Sequence, residues 1–260
     1  TALYPWNAEN ILALNNGRPG LRHLEVRQAI VSAINYPAII DKVTHGVATV
    51  AHDIVPPNAI GYTDNPPYRY DPPAARGLLE RSGWLPGSDG VRQKGGERLD
   101  FTIALASGAA NARALAVQLQ SDFNAVGMRL TLKLYPYNVI YSYDGPITTR
   151  IYDLADYTYT MPWDPDYSVY LDCDEFSPKG ENVFAYCDAQ VDAGEKAGLS
   201  TDDPAARAAI YRNVERRIHA TVPFVPLYLL RRGTVHSIDL KGYDLAPSIA
   251  PWWDVYRWRI

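Results

Sequence analysis

The chain is predicted to fold as an α/β lobe, on three observations. Residues 99–106 alternate and are β-prone, Ala112, Leu115, Ala116, Leu119, Phe123 and Val126 recur at helical spacing up to Gly127, and residues 129–134 alternate again. Strand, helix and strand joined by short links make a βαβ unit, which implies parallel strands and a right-handed crossover. Near the N-terminus, two short helical patterns follow one another as a hairpin. With 260 residues and 47% apolar content, the chain is long enough to bury a core as one large or two small domains.

Taken in order, residues 11–14 read as a short buried strand that ends in the turn Asn15-Asn16-Gly17. Val26, Ala29, Ile30, Ala33 and Ile34 fall at three-and-four spacing, which predicts a helix over residues 24–34. Pro37 suits the first turn of a second helix with Ile39, Ile40 and Val43 inward, and Gly46 can take the left-handed residue that ends it. Residues 52–67, with Pro56-Pro57 and Pro66-Pro67, cannot be regular helix. Asp71 caps a helix begun by Pro72, with Leu78 and Leu79 inward and Gly83 closing it before Trp84. Asp89-Gly90 and Gly95-Gly96 bracket a small exposed hairpin.

After the βαβ unit, residues 153–160 alternate as a further strand, and residues 191–199 form a helix. Asp202-Asp203-Pro204 caps another, with Ala206, Ala209, Ile210, Val214 and Ile218 as its inner stripe. Residues 223–230 are extended and apolar, their prolines placed early, where a strand tolerates them. Tyr243, Trp252, Trp253, Tyr256 and Trp258 crowd the tail.

The formal net charge of -4 gives no electrostatic footprint for nucleic acid. No window approaches the roughly eighteen consecutive apolar residues of a membrane span. The first residues have neither the basic start nor the apolar run of a signal peptide. Hydrolase, zinc-protease, dinucleotide and phosphate-loop motifs are missing. The five histidines are scattered, so no metal site is expected.

One constellation stands out: Tyr157-x-Tyr159-x-x-Pro162-Trp163-Asp164-Pro165-Asp166-Tyr167. Two acids one proline apart lack the opposed placement of a glycosidase pair and the distal Glu of a calcium loop. Asp164 can instead cap a turn begun by Pro165, with the aromatics in the core. Equally, the aromatics can form an amphipathic ligand wall.

Arg22-x-Leu24-Glu25-Val26-Arg27-Gln28-Ala29-Ile30, followed by Tyr70-Asp71-Pro72-x-x-Ala75-Arg76-x-Leu78-Leu79, resembles the extracellular solute-binding proteins of peptide and nickel ABC importers, family five. Pro223-x-x-Pro226-Leu227-Tyr228 and Lys241-Gly242-Tyr243 continue the likeness in the same order. The resemblance implies the second lobe of a two-lobed periplasmic binding protein, of the cluster with extended hinge strands. Residues 1–20 would be the incoming hinge strand and turn, 21–222 the second lobe, and 223–260 the returning strand and a tail belonging to the first lobe. Most of the N-terminal lobe would precede Thr1. The implied function is to bind peptides or peptide-like solutes between lobes and pass them to an ABC permease, without catalysis and without a cofactor.

The same resemblance places Tyr159, Trp163, Asp164 and Asp166 at the ligand. Trp163-x-x-Asp166 matches the spelling in which peptide-binding members hold a peptide amino group, whereas Pro162-Trp163-Asp164-Pro165 is similar to nickel-type members. On count alone, Cys173 and Cys187 read equally as free thiols or as a pair. The implied periplasmic or extracellular location, at the membrane through the permease or an upstream lipid anchor, favours a disulfide. Alternatives are a nickel-chelate or oligosaccharide binder of the same family, or the ligand-sensing module of a transcription regulator with the same fold.

Overall fold

Six strands form one mixed sheet in the computed structural model, which describes residues 2–55, 57, 59–109, 111–160, 163–244 and 254–260. In chain order the elements are β1 (Ala2–Leu14), α1 (Leu24–Ala33), α2 (Tyr36–Lys42), β2 (Thr49–Val50), α3 (Pro72–Arg81), β3 (Leu85–Pro86), β4 (Arg92–Lys94) and β5 (Glu97–Arg98). They continue with β6 (Asp100–Ala106), α4 (Ala112–Asn124), β7 (Arg129–Tyr135), α5 (Tyr137–Ile140), β8 (Leu154–Thr160), α6 (Ser168–Leu171), α7 (Ala189–Leu199), α8 (Pro204–Thr221) and β9 (Phe224–Thr234). The sheet order is β2-β9-β1-β8-β6-β7. β6 runs parallel to β7 and β8, and β1 runs antiparallel to β8 and β9. The β6-α4-β7 unit is the predicted βαβ crossover.

Alternation along the strands divides the core into two layers. Leu12, Leu14, Phe101, Ile103, Leu105, Leu154, Val225 and Leu227 face one side, against Val26, Ile30 and Ile39 of the helical hairpin, Leu79 of α3 and Leu115, Leu119 and Phe123 of α4. Ile11, Ala13, Ala104, Ala155, Tyr159 and Phe224 face the other, against Leu171, Val191, Val214 and Ile218. The helix signals act as expected from sequence. Asp71 and Asp203 each accept a hydrogen bond from a first-turn N–H, at 2.9 and 2.7 Å, and Asn35, which the sequence reading did not single out, does the same for α2 at 3.0 Å. Cys173 and Cys187 form a disulfide across the turn-rich loop.

Three elements differ from the sequence reading. β1 begins at Ala2, well before residue 11, because β9 supplies a backbone ladder along most of its length and so carries Glu9 and Asn10 into the interior. The hairpin around residues 91–94 forms and exposes Gln93 and Lys94 as expected, but its strands also join Leu85–Pro86 in a three-stranded sheet, and Arg92 is buried. Its guanidinium donates to the carbonyls of Val126 and Trp84 and to Glu80, at 2.8 Å each. On α8 the inner stripe is Tyr211, Val214, Glu215, Ile218 and Thr221, while Ala206 and Ala209 are exposed. α7 packs against this stripe, with Gly194 against Val214 and Gly198 against Tyr211.

At the end of α8, Val222 rather than a glycine adopts a left-handed conformation with φ 50°. Buried Arg27 of α1 compensates by donating to the carbonyls of Thr221 (2.8 Å), Val222 (3.0 Å) and Leu21 (2.8 Å). In the tail, the Trp258 indole donates to Asp254 at 2.8 Å, and Lys241 bridges to Arg259. Trp252 and Trp253 lie outside the described residues.

Candidate ligand-binding site

The C-terminal ends of parallel β6 and β8 open onto a cleft, the place where open α/β sheets bind ligands. It has a volume of about 390 Å³ and is lined by Ala106, Ala109, Tyr137, Tyr141, Asp156, Tyr157 and Thr158. Two tyrosines come from the segment after β7, spaced one helical turn apart, so that their rings meet edge to face at 5.2 Å. Tyr141 in turn meets Tyr157 of β8 at 6.0 Å. Tyr137 is 69% exposed, leaving a broad aromatic face for a solute or a covering surface.

Asp156 is the acid of this cleft. Asn10 of β1 donates to its Oδ1 at 2.7 Å, which fixes the carboxylate between the two central strands. Burial raises its pKa, and the Asn10 hydrogen bond only partly offsets this. A carboxylate short of water and of cationic partners favours a ligand that brings an ammonium group or a coordinated cation.

The four residues singled out from sequence part company. Tyr159 points into the core: it is 7% exposed and packs on Tyr170 at 5.2 Å and Tyr167 at 6.1 Å. The gap beside it is about 10 Å³, too small for any solute. Trp163 is 44% exposed, just beyond the end of β8. Asp164 accepts both arms of the Arg207 guanidinium at 2.9 and 2.7 Å, which holds its carboxyl below the usual range. It also accepts the N–H of Asp166 at 3.2 Å, closing the expected turn. Asp166 accepts the Ser168 hydroxyl at 2.7 Å and N–H at 3.1 Å, at the entry to α6. Both acids therefore shape the loop that carries Trp163. Pro162 lies outside the described residues.

Sequence reasoning included Tyr157 in the constellation but missed Asp156, Tyr137 and Tyr141 as a set. The available signals were an acid between Ala155 and Tyr157 in a strand and the Tyr-x-x-x-Tyr spacing. Neither shows that the segment after β7 folds over β8.

Parallel strands with a crossover helix, three further strands extending the same sheet and an aromatic cleft at the strand ends define an α/β lobe of the periplasmic binding protein type. Residues 4–177 match the family described as "Bacterial extracellular solute-binding proteins, family 5 Middle", and the chain belongs to that family. It is 28% identical over 252 residues to the nickel-binding periplasmic protein of Escherichia coli K12, covering 91% of this chain and 45% of that protein. The dipeptide-binding protein of the same organism is 27% identical over 253 residues, covering 91% and 43%. Among solved structures, NikZ from Campylobacter jejuni in complex with Ni(L-His) superposes with a TM-score of 0.84 at 26% identity, over 99% of this chain and 53% of that one. The oligopeptide-binding protein AppA from Bacillus subtilis, in complex with a nonapeptide, shares the fold with a TM-score of 0.86 at 20% identity, over 99% and 51%. The chain spans about half the length of these relatives.

Proposed function

We propose that the chain contributes one wall of an inter-lobe cleft in the substrate-binding component of an ABC importer, for peptides or peptide-like solutes, and that it binds without catalysing. β1 and β9 serve as the strands connecting to a first lobe, with residues 21–222 as the second lobe and the tail beyond β9 packing on the first. The partners are the solute, that first lobe and a membrane permease, in the periplasm or outside the cell. The observation that carries this reading is the cleft with Asp156 among Tyr137, Tyr141 and Tyr157. Aromatic faces suit side chains of varied shape, and Asp156 suits a single ammonium group. Trp163 extends the wall, held in place by the loop that Asp164 and Asp166 organise, while Tyr159 supports the strand from beneath.

A nickel-chelate reading has its own support in the likeness to the nickel-binding relative. Binding measured in the two-lobed protein separates the two. Asp156→Asn is expected to weaken an unblocked peptide by about 1.5–3 kcal/mol through loss of a charge-assisted contact, and to leave an N-acetylated peptide unchanged. Trp163→Ala is expected to weaken binding with little change in melting temperature. Equal loss for blocked and unblocked peptides would remove Asp156 from the ammonium role, and tight binding of nickel-histidine with none of peptides would favour the alternative.

A further inference from the structure

Beyond β2 the chain leaves the sheet edge at Val50 and returns alongside itself at residues 62–65, bringing Asp64 beside His52 and Asp53. His52 Nε2 lies 3.6 Å from Asp53 Oδ2 and 3.5 Å from Asp64 Oδ1. The three donor atoms are all within 4.8 Å of one another. Both separations are too long for a hydrogen bond, and Nε2 is buried with no hydrogen-bond partner.

The carboxylates are already oriented. Asp53, 6% exposed, accepts from the Asn65 N–H at 3.1 Å, the Asn65 side-chain amide at 2.6 Å and the Thr63 hydroxyl at 3.2 Å. Tyr62 donates to Asp64 at 3.0 Å. Such outer contacts typically fix metal-ligating side chains. A cavity of about 30 Å³ adjoins the cluster, lined by His52, Asp53, Tyr62 and Leu229 among others. That is room for one water or one ion.

The two separations from Nε2 bear on whether the cluster is an ion pair or a metal site. One N–H of a protonated His52 can aim at one oxygen, and it would draw that oxygen to about 2.8 Å. A cation about 2.0–2.1 Å from tetrahedral nitrogen and oxygen donors instead holds them about 3.3–3.4 Å apart. The two observed separations are nearly equal and stand within a few tenths of an ångström of the second arrangement. Buried Glu9 and Glu215 lie close enough to Asp53 to feel its charge, and a cation would relieve that crowding of acids.

We propose that His52, Asp53 and Asp64 bind one divalent transition cation of the zinc class, with the fourth position open to solvent. The ion joins the outgoing and returning arms of the loop. Ile54 directly follows Asp53 and its N–H donates to Glu215 at 2.9 Å, so the clip fastens the loop beside a buried acid. The site shares no lining residue with the ligand cleft.

Zinc ion alone, titrated by calorimetry into the chelator-treated chain, tests this. One equivalent is expected to bind and to raise the melting temperature. His52→Ala and Asp64→Asn are each expected to weaken binding by at least about tenfold, with His236→Ala unchanged. Circular dichroism checks folding, and Asp64→Asn, at an exposed side chain, carries the test if His52→Ala does not fold. Absence of zinc binding by the unsubstituted chain, or equal binding by the folded His52 and Asp64 variants, overturns the proposal.

Discussion

Glu195 is fully buried on α7, with Oε2 accepting the Tyr167 N–H at 3.2 Å and Oε1 without a hydrogen-bond partner. Burial pushes its carboxyl up to about 8, with nearby Asp166 and Asp172 adding to the effect. A carboxyl raised in the folded state contributes stability that is fully present below its unfolded value, near 4.5, and is lost as pH rises through 8. Between pH 5 and pH 8 this one group should remove up to about 4 kcal/mol. Glu195→Gln keeps an acceptor for Tyr167 and removes the charge. Its melting temperature should therefore fall less over that interval than that of the unsubstituted chain, and parallel pH profiles would refute the assignment. Glu9 and Glu215 are also raised by burial and tilt both profiles in the same direction, so the difference between them is the informative quantity.

At the scale of elements, the contact of α7 with α8 reverses an ordinary rule. Replacing a mid-helix glycine by alanine normally stabilises by about 1 kcal/mol. A Cβ on Gly198, however, would clash with the Tyr211 ring, and one on Gly194 would clash with Val214. Tyr211 is buried and cannot swing away freely, so Gly198→Ala should destabilise by about 1–3 kcal/mol through overpacking. A gain in stability on chemical denaturation would show that the helices separate easily. The disulfide acts on the loop before α7. Opening a loop with a separation of 14 residues should cost about 3 kcal/mol in the chain-entropy model. Cys173→Ser with Cys187→Ser should accordingly lower stability by that order, and a thiol assay on the denatured, unreduced chain should find no reactive cysteine.

For the whole molecule, the proposed cleft uses one wall from this chain and another from a first lobe. A micromolar solute is worth about 8 kcal/mol, and losing half the contacts leaves millimolar affinity or weaker. Calorimetry of a short peptide with these 260 residues should therefore give at best a millimolar dissociation constant. A value below about 10 μM would mean that the wall around Asp156 suffices alone. Tyr137, 69% exposed, is the aromatic surface of the cleft that a second wall would cover.

Sequence alone determined the parts that depend on local physics. Helix caps at Asp71 and Asp203, the α1 stripe and the β6-α4-β7 crossover follow from spacing and capping chemistry within a few residues. The capped turn at Asp164 was legible for the same reason. Tertiary structure decided everything that required distant strands to meet. β1 extends to Ala2 because β9, more than two hundred residues later, offers it a ladder. Tyr159 turns inward because β8 is central and its alternation is set by neighbours on both sides. Asp156 faces a cleft because the segment after β7 folds across it, and His52 meets Asp64 because a loop returns on itself. Periodicity shows which residues share a face, and only the packed sheet settles which face is core and which is cleft.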